Sequence, residues 1–160
     1  MSGMEIERKF LVKGDSYRRQ ARSSSHIRQG YISSAGRCTI RVRTRDDEAF
    51  LTIKGPSLDG GLSRYEFEKA ITRDEAEHLM LLCEPGIIDK TRFLVDCGDH
   101  TFEVDEFHGD NDGLVVAEVE LGSVDEAYEK PDFIGEEVTG IRRYYNSHLR
   151  RNPYRLWKDE

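Results

Sequence analysis

Residues 4–12 read Met4-Glu5-Ile6-Glu7-Arg8-Lys9-Phe10-Leu11-Val12. Successive side chains of a β-strand point to opposite faces, so residues i and i+2 share one. Glu5, Glu7 and Lys9 then lie on one face. Met4, Ile6, Phe10 and Val12 lie on the other, interrupted by Arg8. The same alternation marks further strands near 25–34, 37–46, 48–55, 62–71, 87–95, 100–108 and 114–121. Turn residues fall between several of them: Ser34-Ala35-Gly36, Arg45 to Glu48, Ser57 to Gly61, Asp96 to Asp99, and Gly109 to Gly113. Such short connections favour antiparallel neighbours.

Working outward from the first strand, like charges recur at i and i+2. Acidic pairs are Glu5 and Glu7, Glu66 and Glu68, Glu103 and Asp105, Glu118 and Glu120. Basic pairs are Arg41 and Arg43, Lys90 and Arg92, with Lys54 alone on the fourth strand. A sheet with one wet face explains any single pair. Two like charges about 7 Å apart repel by roughly 2 kcal/mol at an effective dielectric near 20. Six such pairs on successive strands point to selection for more than solubility. Carboxylate pairs suit hard divalent cations, and clustered Arg and Lys suit phosphate oxygens. If the sheet closes into a barrel, these faces can point inward into a focused field. The apolar faces would then look outward, under helices at 73–83 and 145–151.

Helices are few. Thr72-Arg73-Asp74-Glu75 fits a capping box, and Ala76, Leu79, Met80, Leu82 and Cys83 follow at helical spacing. Short helices are expected at Asp15 to Arg22, Asp125 to Glu129 and Tyr145 to Arg151. The predicted fold is α+β: an eight-stranded antiparallel β-barrel with a few flanking helices, one domain over residues 1–160.

Composition narrows the function. The chain has 160 residues and a net charge of −7, which argues against a general nucleic-acid binder or a basic membrane-surface protein. No apolar run is long enough to span a membrane. Three cysteines, Cys38, Cys83 and Cys97, form no CxxC pair, which argues against a zinc ribbon or disulfide framework and for a reducing, cytoplasmic setting. The five histidines show no paired metal spacing and read as surface or loop residues. Arg150, Arg151, Arg155 and Lys158 read as a solvated basic tail.

The segment EIERKFLV, with Glu5-x-Glu7-x-Lys9, resembles the ExExK signature of the CYTH, or triphosphate tunnel metalloenzyme, superfamily. HIRQGYIS (26–33), RVR (41–43), LTIK (51–54), YEFE (65–68), KTR (90–92), EVDEF (103–107), EVE (118–120) and the tail from Gly135 to Leu149 resemble later family elements in order. The resemblance implies a barrel that forms a tunnel for a linear triphosphate. By it, Glu5, Glu7, Glu118 and Glu120 are metal ligands, helped by Asp105. Lys9, Arg41, Arg43, Lys54, Lys90, Arg92 and Arg143 clamp the triphosphate. Glu66 and Glu68 orient basic side chains by ion pairing, with metal contact as their other role, and Tyr31 lines a mouth or packs in the barrel. Lys54 is the candidate proton donor to the leaving oxygen, with a plain phosphate contact as its other role. The implied cofactor is Mg2+ or Mn2+, as two ions, and a homodimer through the outer wall is compatible.

The implied reaction is hydrolysis of inorganic tripolyphosphate to pyrophosphate and phosphate. Nucleoside or thiamine triphosphate hydrolysis, class IV adenylyl cyclase activity and a non-catalytic polyphosphate- or nucleotide-binding module are the alternatives. A plain β-domain with a wet charged face is a further one, and it predicts no metal-dependent phosphate binding.

Overall fold

The structure, a computed structural model, describes residues 4–33 and 37–157. Its strands are β1 (Met4–Val12), β2 (Ser23–Ser33), β3 (Thr39–Arg45), β4 (Glu48–Lys54), β5 (Ser63–Ile71), β6 (Ile88–Cys97), β7 (His100–Phe107), β8 (Val115–Glu120) and β9 (Ile134–Glu137). The helices are α1 (Tyr17–Gln20), α2 (Arg73–Met80) and α3 (Asn146–Leu149). Eight strands close a barrel in the order β1-β8-β7-β6-β2-β3-β4-β5, and β5 returns to β1. Every pairing is antiparallel. The eight predicted strands are present, with ends shifted by a residue or two. The expected turn at Ser34-Ala35-Gly36 and the expected tail residue Lys158 lie outside the described residues.

The barrel closes on a divided edge of β1. Met4 to Ile6 pair with β5, whereas Phe10 and Val12 pair with β9. Between these stretches the Glu7 N–H donates to the Leu62 carbonyl at 2.8 Å, and the Lys9 N–H donates to Thr139 Oγ1 at 2.9 Å. Two chain segments touch backbone to backbone beside this seam. A Cβ on Gly61 would sit 2.5 Å from Gly140 Cα, and the two φ angles are +96° and +78°. Only glycine meets both demands.

The outward faces carry the larger core. Phe10, Phe102, Val104, Ala117 and Val119 pack beneath Tyr17 of α1 and beneath Leu121 and Phe133 of the long β8–β9 connection. Elsewhere on the outer wall, Ala76 of α2 covers Val42 and Ala49. The capping box forms: Thr72 Oγ1 accepts from the Glu75 N–H at 3.0 Å, and Glu75 Oε1 accepts from the Thr72 N–H at 2.8 Å. The helix stops at Met80, short of the predicted Cys83, and the Glu84 N–H turns back to the Tyr31 carbonyl.

Two expectations need correction, and one strand was missed. The segment 145–151 does not cover the outer wall. Tyr144 and Leu149 pack, with Val138, on the inward Tyr31, Ile88, Phe107 and Val116, plugging one end of the barrel. The inward faces are apolar at that end, and burying each such side chain is worth about 1.5–3 kcal/mol. Asp125 to Glu129 is not helical. Glu126 is used by the Gly122 N–H and His100, and Pro131 disfavours helix at the residue before it. The strand β9 was not anticipated, because it is only four residues long and two are glutamates. No helix among the described residues is long and apolar enough to cross a membrane.

Candidate active site

Register decides which charges meet, because residues directly opposite on paired strands share a face. Glu7 lies opposite Glu120, Lys9 opposite Glu118, and Glu103 opposite Glu118. Arg92 lies opposite Asp105, Lys54 opposite Glu66, and Glu5 opposite Arg64. The predicted charged faces therefore all point into the barrel. They surround a cavity of about 460 Å³. Glu5, Glu7, Glu118 and Glu120 line it on the β1–β8 side. Lys9, Arg41, Arg43, Lys54, Lys90 and Arg92 also line it, together with Tyr31, Glu66 and Glu68.

Two predicted site residues are placed elsewhere. Asp105 is buried behind the cavity lining, where its two oxygens take Arg92 Nε and Nη2 at 2.8 and 2.9 Å and Lys90 Nζ at 2.8 Å. Burial alone would raise its carboxyl, but Arg92 and Lys90 hold it down at about 2. Its lone pairs are committed to cations, so it fits the role of counter-ion rather than metal ligand. Arg143 does not line the cavity. Its guanidinium sits 4.4 Å from the Trp157 ring centroid and 5.3 Å from that of Tyr144.

Burial and close neighbours shift the carboxylates of β1 and β8 in opposite directions. Glu7 is pushed well above the usual carboxylate range by burial, then by the nearby Glu118, to which it is hydrogen-bonded, and by Glu5. Glu118 is held well below that range: burial opposes this, and Lys9, the Glu7 hydrogen bond and Arg92 outweigh it. The shared hydrogen bond thus sets Glu7 and Glu118 apart in opposite directions. Glu120, at the exposed rim, is raised by burial and by Glu5 and Glu103. Glu5 is lowered, Lys54 at 3.0 Å outweighing burial. Among the described residues, no three His, Cys, Asp or Glu side chains already converge as a metal cluster. The donor set nonetheless fits a hard divalent cation: Glu5, Glu7, Glu118 and Glu120 line the cavity from the paired strands β1 and β8.

The basic wall is built to receive an anion. Arg41 Nε and Arg43 Nε are buried N–H donors without a partner. Burial, then Arg41 and Arg92, push Arg43 down to about 10. Arg43 is 3.5 Å from Glu68, and Lys54 is 3.3 Å from Glu66, so these two glutamates do orient cations. Burial pushes the Lys90 ammonium down to about 8, against the pull of Asp105. It also donates to Asn146 Oδ1 at 2.9 Å, and Lys9 Nζ donates to the Tyr144 carbonyl at 3.4 Å. The C-terminal segment thus supplies the end wall.

Several lining residues escaped the strand pattern. Arg64 shares its face with Glu66 and could have been found by extending the i, i+2 rule one step. Tyr145, Asn146 and Ser147 arrive from a segment with no periodicity. His100, tied to Glu126, lines the cavity from the β6–β7 hairpin, although sequence spacing gave it only a loop role.

The comparisons agree with this architecture. The model of the CYTH domain matches residues 3–148. An inorganic triphosphatase of Acetivibrio thermocellus is 46% identical over 158 residues, covering 98% of this chain and 99% of the relative. An inorganic triphosphatase of Nitrosomonas europaea is 37% identical over 149 residues, covering 91% and 95%. A crystal structure of an inorganic triphosphatase superposes with a TM-score of 0.62 at 33% identity, covering 91% of this chain and 93% of that one. A protein of Pyrococcus horikoshii, at 19% identity and a TM-score of 0.61 over 76% of this chain and 80% of that one, shares the fold. With its closed eight-stranded barrel, inward charged faces and a match over nearly its whole length, the chain belongs to the CYTH domain family.

Proposed function

We propose that this protein hydrolyses a linear triphosphate, inorganic tripolyphosphate foremost, to pyrophosphate and phosphate inside the barrel. The observation that carries the reading is the meeting of two unlike sets of side chains in one cavity. Arg41, Arg43, Lys90 and Arg92 line the same cavity as Glu5, Glu7, Glu118 and Glu120. A polyanion satisfies the first set, and divalent cations satisfy the second. The names of the two curated relatives support the same substrate.

In this reading Glu5, Glu7, Glu118 and Glu120 hold magnesium or manganese, as two ions. When bound, such ions neutralise phosphate oxygens and lower the pKa of water. Lys9, Arg41, Arg43, Lys90 and Arg92 hold the phosphate chain in one register, which removes the entropic cost of aligning it. Their fixed charges act in a confined space, where they stabilise developing charge without reorganising. A water oxygen attacks a terminal phosphorus, the anhydride P–O bond breaks, and pyrophosphate leaves. Lys54, held by Glu5 and Glu66, is positioned to protonate the leaving oxygen.

Glu5→Gln and Glu120→Gln each remove a carboxylate charge with little change in shape. Each should lower metal-dependent turnover at least a hundredfold while circular dichroism stays unchanged. Wild-type turnover in either variant would refute the carboxylate assignment. Arg41→Ala should weaken substrate binding, and an unchanged KM and kcat would remove Arg41 from the clamp.

A further inference from the structure

Arg64 lies on β5 directly opposite Glu5, at the point where the barrel closes. Its Nε is 3.7 Å from Glu5 Oε1, and its side chain is 23% exposed. That carboxylate is shared with Lys54, which holds the same oxygen more closely, at 3.0 Å. The Arg64 charge is therefore only loosely balanced by protein. On its other side is the Tyr145 ring, with the Arg64 Cζ 5.7 Å from the centroid. The same ring takes Lys9 Nζ at 5.0 Å. Lys9 comes from β1 and Arg64 from β5, so one aromatic ring gathers a cation from each side of the seam. All three residues line the main cavity, and all three also reach a small cavity beside the seam. An aromatic face attracts cations but cannot satisfy their N–H donors. Lys9 gives one donor to the Tyr144 carbonyl, and the Arg64 guanidinium can offer two parallel donors to a phosphoryl group.

We propose that Arg64 is a substrate-binding residue that donates to a phosphoryl group of the bound triphosphate. Tyr145 is a positioning residue: its ring holds Arg64 and Lys9 toward the same phosphoryl group. The inference rests on the triphosphate reading above, and it names two residues that reading does not need.

The test pairs steady-state hydrolysis of tripolyphosphate with calorimetric binding of tripolyphosphate in chelator. Arg64→Met keeps the side-chain length and removes the charge. It should raise KM and the dissociation constant about tenfold or more, the size of a lost charge-assisted hydrogen bond. Arg64→Lys should recover part of the loss. Tyr145→Leu should raise KM, Tyr145→Phe should not, and Tyr145→Leu should cost less in the Arg64→Met background than alone. Melting temperatures of all variants separate these effects from unfolding. Wild-type KM and binding in Arg64→Met would overturn the proposal while leaving the triphosphate reading intact. Equal KM in Tyr145→Leu and Tyr145→Phe would overturn the positioning role. A wild-type protein that neither binds nor cleaves tripolyphosphate would instead defeat the underlying reading, and this inference with it.

Discussion

Asp105 shows how much one side chain's position decides. It lies two residues from Glu103 on the same face, yet only Glu103 lines the cavity. Asp105 is sunk against Arg92 and Lys90, with 2% of its side chain exposed. Removing one partner of a buried ionic cluster typically costs about 3–5 kcal/mol, because the remaining charges are stranded. Asp105→Asn should lose that much stability at neutral pH, measured by urea unfolding. The pH dependence has a definite sign. The folded carboxyl sits at about 2, below its unfolded value, so its stabilisation is present at neutral pH and fades as pH falls toward 2. The gap between variant and wild type should close over that range. Lys90 titrates at the other end, near 8. A phosphate oxygen favours its charged form, so binding above pH 8 takes up a proton. Tripolyphosphate affinity should weaken as pH rises through 8, by up to about tenfold per pH unit. Lys90→Met should flatten that limb in a calorimetric titration, and an unchanged limb would assign the proton elsewhere.

At the scale of elements, the division of labour is between the strands and what covers them. The strands carry the chemistry on their inward faces, and α2 contributes only cover. Thr72→Ala removes the capping hydroxyl and should cost about 1 kcal/mol. Thermal unfolding should register a drop of a few degrees. Turnover should not change, because α2 touches only the outer wall. Lower turnover with unchanged stability would mean that α2 communicates with the cavity. The strands were legible because period two is explicit when one face is charged and the other apolar, as in Glu5-Ile6-Glu7 or Arg41-Val42-Arg43. The closing elements were legible only in part: a helix was expected at 145–151 and α3 forms there, but its place in the barrel end was not. The strand β9 and the plug around Tyr144 to Leu149 have no periodicity of their own, and take their shape from the seam and the barrel end they fill. Register was equally hidden. Nothing local in the chain says that Arg64 faces Glu5 or that Lys9 faces Glu118, since each depends on long-range pairing.

The whole molecule turns a common arrangement inside out. Most of its apolar strand faces look outward and are covered by α1, α2 and the β8–β9 connection, whereas Tyr65 and Phe67 of β5 stay exposed. Its charges face a shared interior, where carboxylates, lysines and guanidiniums line one cavity. A net charge of −7 coexists with a cluster of interior cations because they gather in one cavity beside carboxylates, as in Lys9 opposite Glu118 and Lys54 beside Glu5, which composition alone does not reveal. That mixed lining makes the central prediction direct: the interior should need both a cation and a polyphosphate. Phosphate release should be followed from tripolyphosphate, ATP and thiamine triphosphate, each with magnesium, with manganese and with chelator. Rapid release from tripolyphosphate that chelator abolishes, with much slower release from the two organic triphosphates, is the expected result. Release undiminished by chelator, or none from tripolyphosphate under any metal, would contradict the assignment of the barrel interior as a metal-dependent triphosphatase site.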